Sequence, residues 1–266
     1  MALIGFTVYN PGSLGANAQN LNMATCSYNL FPVYMGGSSD EKVGCFVYDP
    51  KNELFIIGGN TTSEDFAPAQ NNHGFLVALN KDSDWVWGKF FYNVSFALSD
   101  VTGCKMASDG NSLIVLGIGN SLPVYMEVDT SDGTIKQFIS ILWHLASDVV
   151  VPVYTTQSGI YYDKNDFFDK KEYIYWSFTM DDKIQMLRMQ NVPPERGNPV
   201  LDWAFQFDDF TQAQATDRYR RKDPVFLEND PTDAQSFYMA GYYQGRGSVM
   251  KFQKRNAKLR WWLSFP

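Results

Sequence analysis

A strand–turn–strand unit returns four times in this chain, at residues 75–91, 124–139, 184–207 and 248–265. Each copy is an apolar run, a short polar or Gly-containing turn and a second run carrying Trp or Phe, as in FLVALNKDSDWVWGKFF and SVMKFQKRNAKLRWWLSF. A period of this kind restricts the fold to an array of small sheets, because one unit buries its apolar face only by stacking on the next. It leaves activity open.

Two further strand-like runs precede each copy. In the first, residues 43–48, the turn Asp49-Pro50-Lys51-Asn52 and residues 54–57 with Gly58 and Gly59 lead into strands over 75–79 and 85–91. Asp-Pro-Lys-Asn has the chemistry of a type I turn. The second unit takes residues 103–107, 112–117, 124–128 and 134–139; the third takes 149–155, 173–179, 184–189 and 200–207; the fourth takes 224–227, 235–243, 248–252 and 258–265. Four-stranded antiparallel units of about 40 to 50 residues are the mark of β-propeller blades. The expected fold is all-β: about four blades over residues 38–266, near 38–98, 99–146, 147–217 and 218–266, preceded by an N-terminal extended arm or closing strands over 1–37.

Composition agrees with sheets. Aromatic residues make up 16% of the 266, and aromatic side chains suit pleated, half-buried faces. A net charge of −7 opposes tracking a phosphate backbone, which starts from a basic surface. The basic run from Arg218 to Lys222 is flanked by Asp217 and Asp223 and reads as a solvated connection. No apolar run reaches the 18 residues of a membrane-spanning helix, and the first 15 residues lack the basic and apolar regions of a signal peptide.

The turn and last strand from Glu127 to Ile135, and from Asn80 to Trp87, resemble hairpins of quinoprotein-like propeller repeats. The run Leu54-Phe55-Ile56-Ile57-Gly58-Gly59, with Trp85 downstream, resembles a kelch blade. The resemblance implies the architecture and assigns no functional residue.

Candidate chemistry is sparse. His73 and His144, the two histidines, show no metal or catalytic spacing, and there is no nucleophile elbow or phosphate loop. Gly117-Ile118-Gly119 joins two strands. Asp129, Ser131, Asp132 and Gly133 have oxygen-rich spacing but lack the further ligands of a calcium loop, so turn chemistry is the reading. No catalytic residue, metal or cofactor is expected.

Cys45 in Val-Gly-Cys-Phe and Cys104 in Thr-Gly-Cys-Lys look equivalent in successive repeats. The favoured reading is two small buried side chains; a Cys45–Cys104 disulfide is the alternative, since equivalent positions in neighbouring blades can lie too far apart to bridge. Asn60 and Asn93 head acceptor sequons that follow strands, and both are expected to carry glycans if the protein is exported. Trp85, Trp87, Trp203, Trp261 and Trp262 fall in last strands, where alternation sends some toward the neighbouring blade and others outward.

Residues 1–37 offer strand candidates over 3–9 and 27–35. Either they complete the ring in the same molecule or they add to a neighbour's sheet. Interface candidates are Leu3, Ile4, Phe6 and Val8 in this arm and Trp261 and Trp262 at the other end. The sequence reading is a noncatalytic structural or interaction module, extracellular or at the cell surface, that self-associates through its arm or binds other proteins or carbohydrate. The competing readings are a propeller enzyme acting on glycans and a cytoplasmic kelch-like adaptor.

Overall fold

The computed structural model describes residues 36–64, 73–91, 98–119, 122–140, 159–180, 183–192, 197–206, 224–243 and 246–265. The first 35 residues, with Leu3, Ile4, Phe6 and Val8, lie outside the described residues, as do Asn93, His144 and the run 218–222.

Sixteen strands fill the described residues, grouped four to a sheet in chain order. Blade 1 holds β1 (Glu41–Asp49), β2 (Leu54–Thr61), β3 (His73–Asn80) and β4 (Trp85–Phe90). Blade 2 holds β5 (Asp100–Met106), β6 (Ser112–Gly119), β7 (Leu122–Asp129) and β8 (Ile135–Ser140). Blade 3 holds β9 (Gly159–Asp163), β10 (Tyr173–Met180), β11 (Lys183–Gln190) and β12 (Val200–Gln206). Blade 4 holds β13 (Pro224–Asn229), β14 (Ser236–Tyr243), β15 (Arg246–Gln253) and β16 (Leu259–Ser264). Every neighbouring pair is antiparallel. First strands contact first strands, β1 with β5, β5 with β9 and β9 with β13, which puts them on the inside of the array. These stacked blades are β-propeller architecture.

One strand falls elsewhere than expected. Blade 3 begins at Gly159–Asp163, downstream of the run 149–155, which lies outside the described residues. The segment Ile160-Tyr161-Tyr162-Asp163 matches Val47-Tyr48-Asp49 of β1 in the residue that closes the first turn, a cue that hydrophobicity alone does not weigh.

Alternation along the strands gives each blade a forward face, toward the next blade, and a backward face. Leu54, Ile56, Leu76, Ala78 and Trp87 of blade 1 pack forward on Val101, Cys104, Leu113, Val115, Met126 and Val128 of blade 2. Blade 2 in turn sends Ile114, Leu116 and Tyr125 onto Ile174, Trp176, Phe178 and Leu187. Tyr161, Tyr173, Tyr175 and Met186 of blade 3 meet Leu227, Phe237, Met239, Met250 and Phe252 of blade 4. Each junction is thus a core of its own, and among the described residues most of the buried apolar side chains lie in one of them.

The cysteines correct the reading of two equivalent sites. Cys45 is opposite Gly58, the register position that Gly103, not Cys104, holds opposite Leu116 in blade 2. A one-residue offset reverses the face a side chain takes. Cys45 therefore points forward and Cys104 backward, and they form a disulfide with Cα atoms 5.6 Å apart. Gly44 lets the two inner strands approach, since a Cβ there would lie 2.0 Å from the Val101 carbonyl oxygen.

Candidate functional site

The clearest recurring geometry is at the blade junctions. In the last strands, Trp87 pairs with Ala78, Gln137 with Glu127, Trp203 with Arg188 and Trp261 with Lys251, each beside a bulge, so these four residues share one register position. The Trp87 indole N–H donates to the Thr130 carbonyl of blade 2 at 2.8 Å. Its counterpart Trp203 donates to the Lys254 carbonyl of blade 4 at 3.0 Å. Thr130 and Lys254 are both the first residue of their turn, as is Lys81 in blade 1. Gln137 reaches blade 3 by a different bond, from its amide to the Gly197 carbonyl at 2.9 Å.

A carboxylate accompanies each docking tryptophan. Asp49 closes the first turn of blade 1 and lies by Thr130; burial pushes its carboxyl up, but hydrogen bonds from Thr130 and Asn52 outweigh this and hold it below the ordinary value. Asn52 itself donates to the Thr130 hydroxyl at 3.1 Å. In blade 3 the corresponding Asp163 is paired with Lys254 at 2.5 Å, both nearly inaccessible. Arg188 sits beside them, 2.9 Å from Asp166 and 2.5 Å from Asp202, with its guanidinium 3.5 Å from the Tyr173 ring centre. Burial, aided by these carboxylates, pushes the Tyr175 and Tyr161 hydroxyls above their ordinary range.

The turns of blades 1 and 2 line a polar cleft of about 300 Å³, with Lys51, Asn52, Asp109, Asn111, Asp129 and Lys136 on its walls. Its groups engage one another: Lys136 lies 3.0 Å from Asp129, and Lys51 donates to Asn111. Asp129 also accepts from the Ser131 hydroxyl at 2.6 Å and from its backbone N–H, while Asp132 accepts from Thr134 N–H. Those carboxylates serve the turn, and Gly133 supplies its left-handed φ of 73°.

At the opposite end of the strands, Asp100 opens β5 with its carboxyl buried and 3.8 Å from Lys42. Burial pushes it up to about 7, against the lowering effect of Lys42. His73, first in β3, is buried, and desolvation pulls its imidazole down. Nearby, Glu41 accepts from Thr61 at 3.1 Å and from Ser63.

The two ends of the array differ from its junctions. On blade 1, Phe46 (59% exposed) and Tyr48 stand on the backward face against Phe55, with centroids 5.9 and 5.1 Å away. On blade 4, Trp261 (43% exposed) and Leu263 stand on the forward face, Trp261 beside Tyr238 at 5.8 Å. Trp262 takes the other face of β16 and is also exposed. Trp87 and Trp203 are junction residues, Trp85 packs on the backward face of blade 1, and the side chains of Tyr242 and Tyr243 lie outside the described residues.

Asn60 is placed differently from the expected loop. It is within β2, half-buried and opposite both Lys42 and Gly74. Asp163, Arg188, Lys254, Asp230 and Lys81 were not singled out in the sequence. Aligning the repeats on their turn residues, not on apolar runs, brings Lys81 over Lys254 and Asp49 over Asp163.

No protein-family model matches this chain, and a search among curated proteins finds no match. Solved structures resembling it include the Dos1 propeller (10% identity, TM-score 0.49, covering 86% of this chain and 62% of that one). Another is Kuenenia stuttgartiensis hydrazine synthase (10% identity, TM-score 0.47, 89% and 52%). A europium-containing methanol dehydrogenase is similar over 79% of this chain and 39% of that one (11% identity, TM-score 0.44). The chain spans less than two thirds of the length of each of these structures, and they assign it no activity. Among the described residues no group of three or more His, Cys, Asp or Glu side chains converges as a metal site, and no helix is long and apolar enough to cross a membrane.

Proposed function

We propose that this chain is a noncatalytic interaction module that works outside the cell and builds assemblies of its own kind. The observation that carries this reading is the pair of apolar, aromatic end faces: Phe46 and Tyr48 on one side of the array, Trp261 and Leu263 on the other. Contiguous exposed apolar surface of this kind marks interaction sites. The disulfide between blades 1 and 2 supports an oxidising compartment. The N-terminal arm, with Leu3, Ile4, Phe6 and Val8, is the proposed link between subunits by strand addition. Asn93 is the better glycan acceptor, because Asn60 is held inside a paired strand.

The reading is tested on full-length protein from a secretory host by light scattering after size-exclusion chromatography. The wild type is expected as higher-order species whose mass falls on Leu3→Asp/Phe6→Asp substitution and on treatment with an asparagine-glycan-releasing enzyme. A monomer of unchanged mass in all three samples overturns it.

A further inference from the structure

Blade 4 carries a docking set that no blade follows in the described residues. Trp261 holds the register position of Trp87 and Trp203, whose indoles bond the first turn residue of the next blade. Asp230 closes the first turn of blade 4 through its N–H bond to the Ser236 carbonyl, the place of Asp49 and Asp163 in blades 1 and 3. Three residues on, Asn52, Asp166 and Asp233 again correspond.

The charges show what this set lacks. At the junction of blades 3 and 4, Asp163, Asp166 and Asp202 are met by two cations, Arg188 from blade 3 and Lys254 from blade 4. On blade 4, Asp230 and Asp233 share one cation, Lys251, at 2.5 and 3.3 Å, and Lys251 occupies the register position of Arg188. Among the described residues no counterpart of Lys254 meets them. Asp233 keeps 40% of its side chain exposed.

That counterpart exists at the other end of the molecule. Lys81 is the first residue of the β3–β4 turn, the place of Lys254 in the β15–β16 turn of blade 4, and is the same residue type. Its ammonium is exposed, 3.4 Å from an equally exposed Glu53, a surface pair of little strength. Behind it, Phe46, Phe55, Ile57, Val77 and Leu79 repeat the apolar positions Leu227, Phe237, Met239, Met250 and Phe252, by which blade 4 receives blade 3. Trp85 and Phe90 pack on Ile57, Val77 and Leu79, so Phe46, Tyr48 and the Lys81 turn are what this face offers a partner.

We propose that blade 1 of a second copy docks on blade 4, head to tail, and continues the junction pattern across molecules. Lys81 of the second copy enters beside Asp230 and Asp233, and Trp261 donates its indole N–H to the carbonyl of that lysine. The interface is continuous with the junctions inside the chain and pairs an acidic site that holds one cation among the described residues with an exposed lysine. Such a heterologous contact closes into a ring if its rotation allows and otherwise grows a filament. The inference rests on the reading that the chain self-associates, and it names the surfaces.

Sedimentation velocity on full-length protein from 1 to 100 µM (a range of about two decades around ordinary dimer affinities) tests it. Lys81→Glu and Trp261→Ala are each expected to weaken association at least about tenfold, whereas Lys164→Glu, an exposed charge elsewhere, leaves it unchanged. An equimolar mixture of the two variants retains one intact interface, Trp261 of the first with Lys81 of the second. With Leu3→Asp/Phe6→Asp added to both variants to remove linkage through the arm, it is expected to give dimers and nothing larger. Wild-type assembly unaffected by either variant overturns the docking, and if Leu3→Asp/Phe6→Asp then abolishes assembly, self-association stands with the arm as its surface. A wild type that stays monomeric at 100 µM overturns both readings.

Discussion

The junctions between blades 1 and 2 and between blades 3 and 4 use one docking bond and fill the space around it with different chemistry. In both, a last-strand tryptophan donates to the first residue of the next blade's turn, beside a carboxylate from its own blade. At the first junction the surroundings are aliphatic, the carboxylate meets a threonine, and a disulfide ties the inner strands. At the second, a lysine and an arginine are buried with two aspartates among tyrosine rings, and a third, exposed aspartate pairs with the arginine from outside. Register, not side-chain identity, is what the repeat preserves. Chemistry at the preserved positions varies from one junction to the next, which gives each its own sensitivity.

The largest difference is expected on removing a buried charge. Lys254→Met leaves Asp163 buried without its cation and should cost about 3–5 kcal/mol, read as a shift in the urea midpoint. The corresponding Thr130→Val at the first junction removes hydrogen bonds, one of them to the Asp49 carboxylate, but no cation, and should cost about 1–3 kcal/mol. Equal losses would mean that the ion pair has no special place in the second junction.

Reduction should reverse the ranking. Cys45→Ser/Cys104→Ser opens a loop of sequence separation 59 and should cost about 2–4 kcal/mol, with hydrogen exchange rising at β1 and β5 and little changed at β9 and β13. Uniform exchange across both junctions would show that the blades unfold as one unit.

Acidity separates them further. Asp100, beside the first junction, has its carboxyl pushed up to about 7 by burial, from an ordinary value of 3.8. The folded state therefore holds this proton more tightly than the unfolded chain does. Its contribution to stability is complete below about pH 4, is lost as pH rises toward 7, and is flat above. Asp100→Asn should remove that slope and raise stability at pH 8 by about 2–3 kcal/mol, measured as urea midpoints across pH.

The smallest effect tests what the junctions share. Trp87→Phe and Trp203→Phe each remove an indole donor while keeping an aromatic ring, and each should cost about 1–2 kcal/mol. A loss at one position only would end the claim that the two bonds are equivalent.

Much of this fold was legible in the sequence, because strands with turn residues between them announce themselves locally. The second hairpin of every blade lies close to where its apolar runs and turns put it. Two errors share one cause. Apolar character favoured residues 149–155 over β9, and the common Gly-Cys dipeptide made Cys45 and Cys104 look equivalent. Both faults are of register, which is fixed by the count of residues back from a turn rather than by local composition. The junction ions were illegible for another reason: Arg188, Lys254 and Asp163 lie far apart in sequence and meet only when blades stack.

Cryo-electron microscopy of the full-length protein at micromolar concentration tests most directly the claim that the array ends continue the junction pattern. Head-to-tail docking predicts rings or filaments in which the spacing between molecules matches the blade-to-blade spacing within one. Isolated particles, or assemblies in which Trp261 and Lys81 both face solvent, would contradict it.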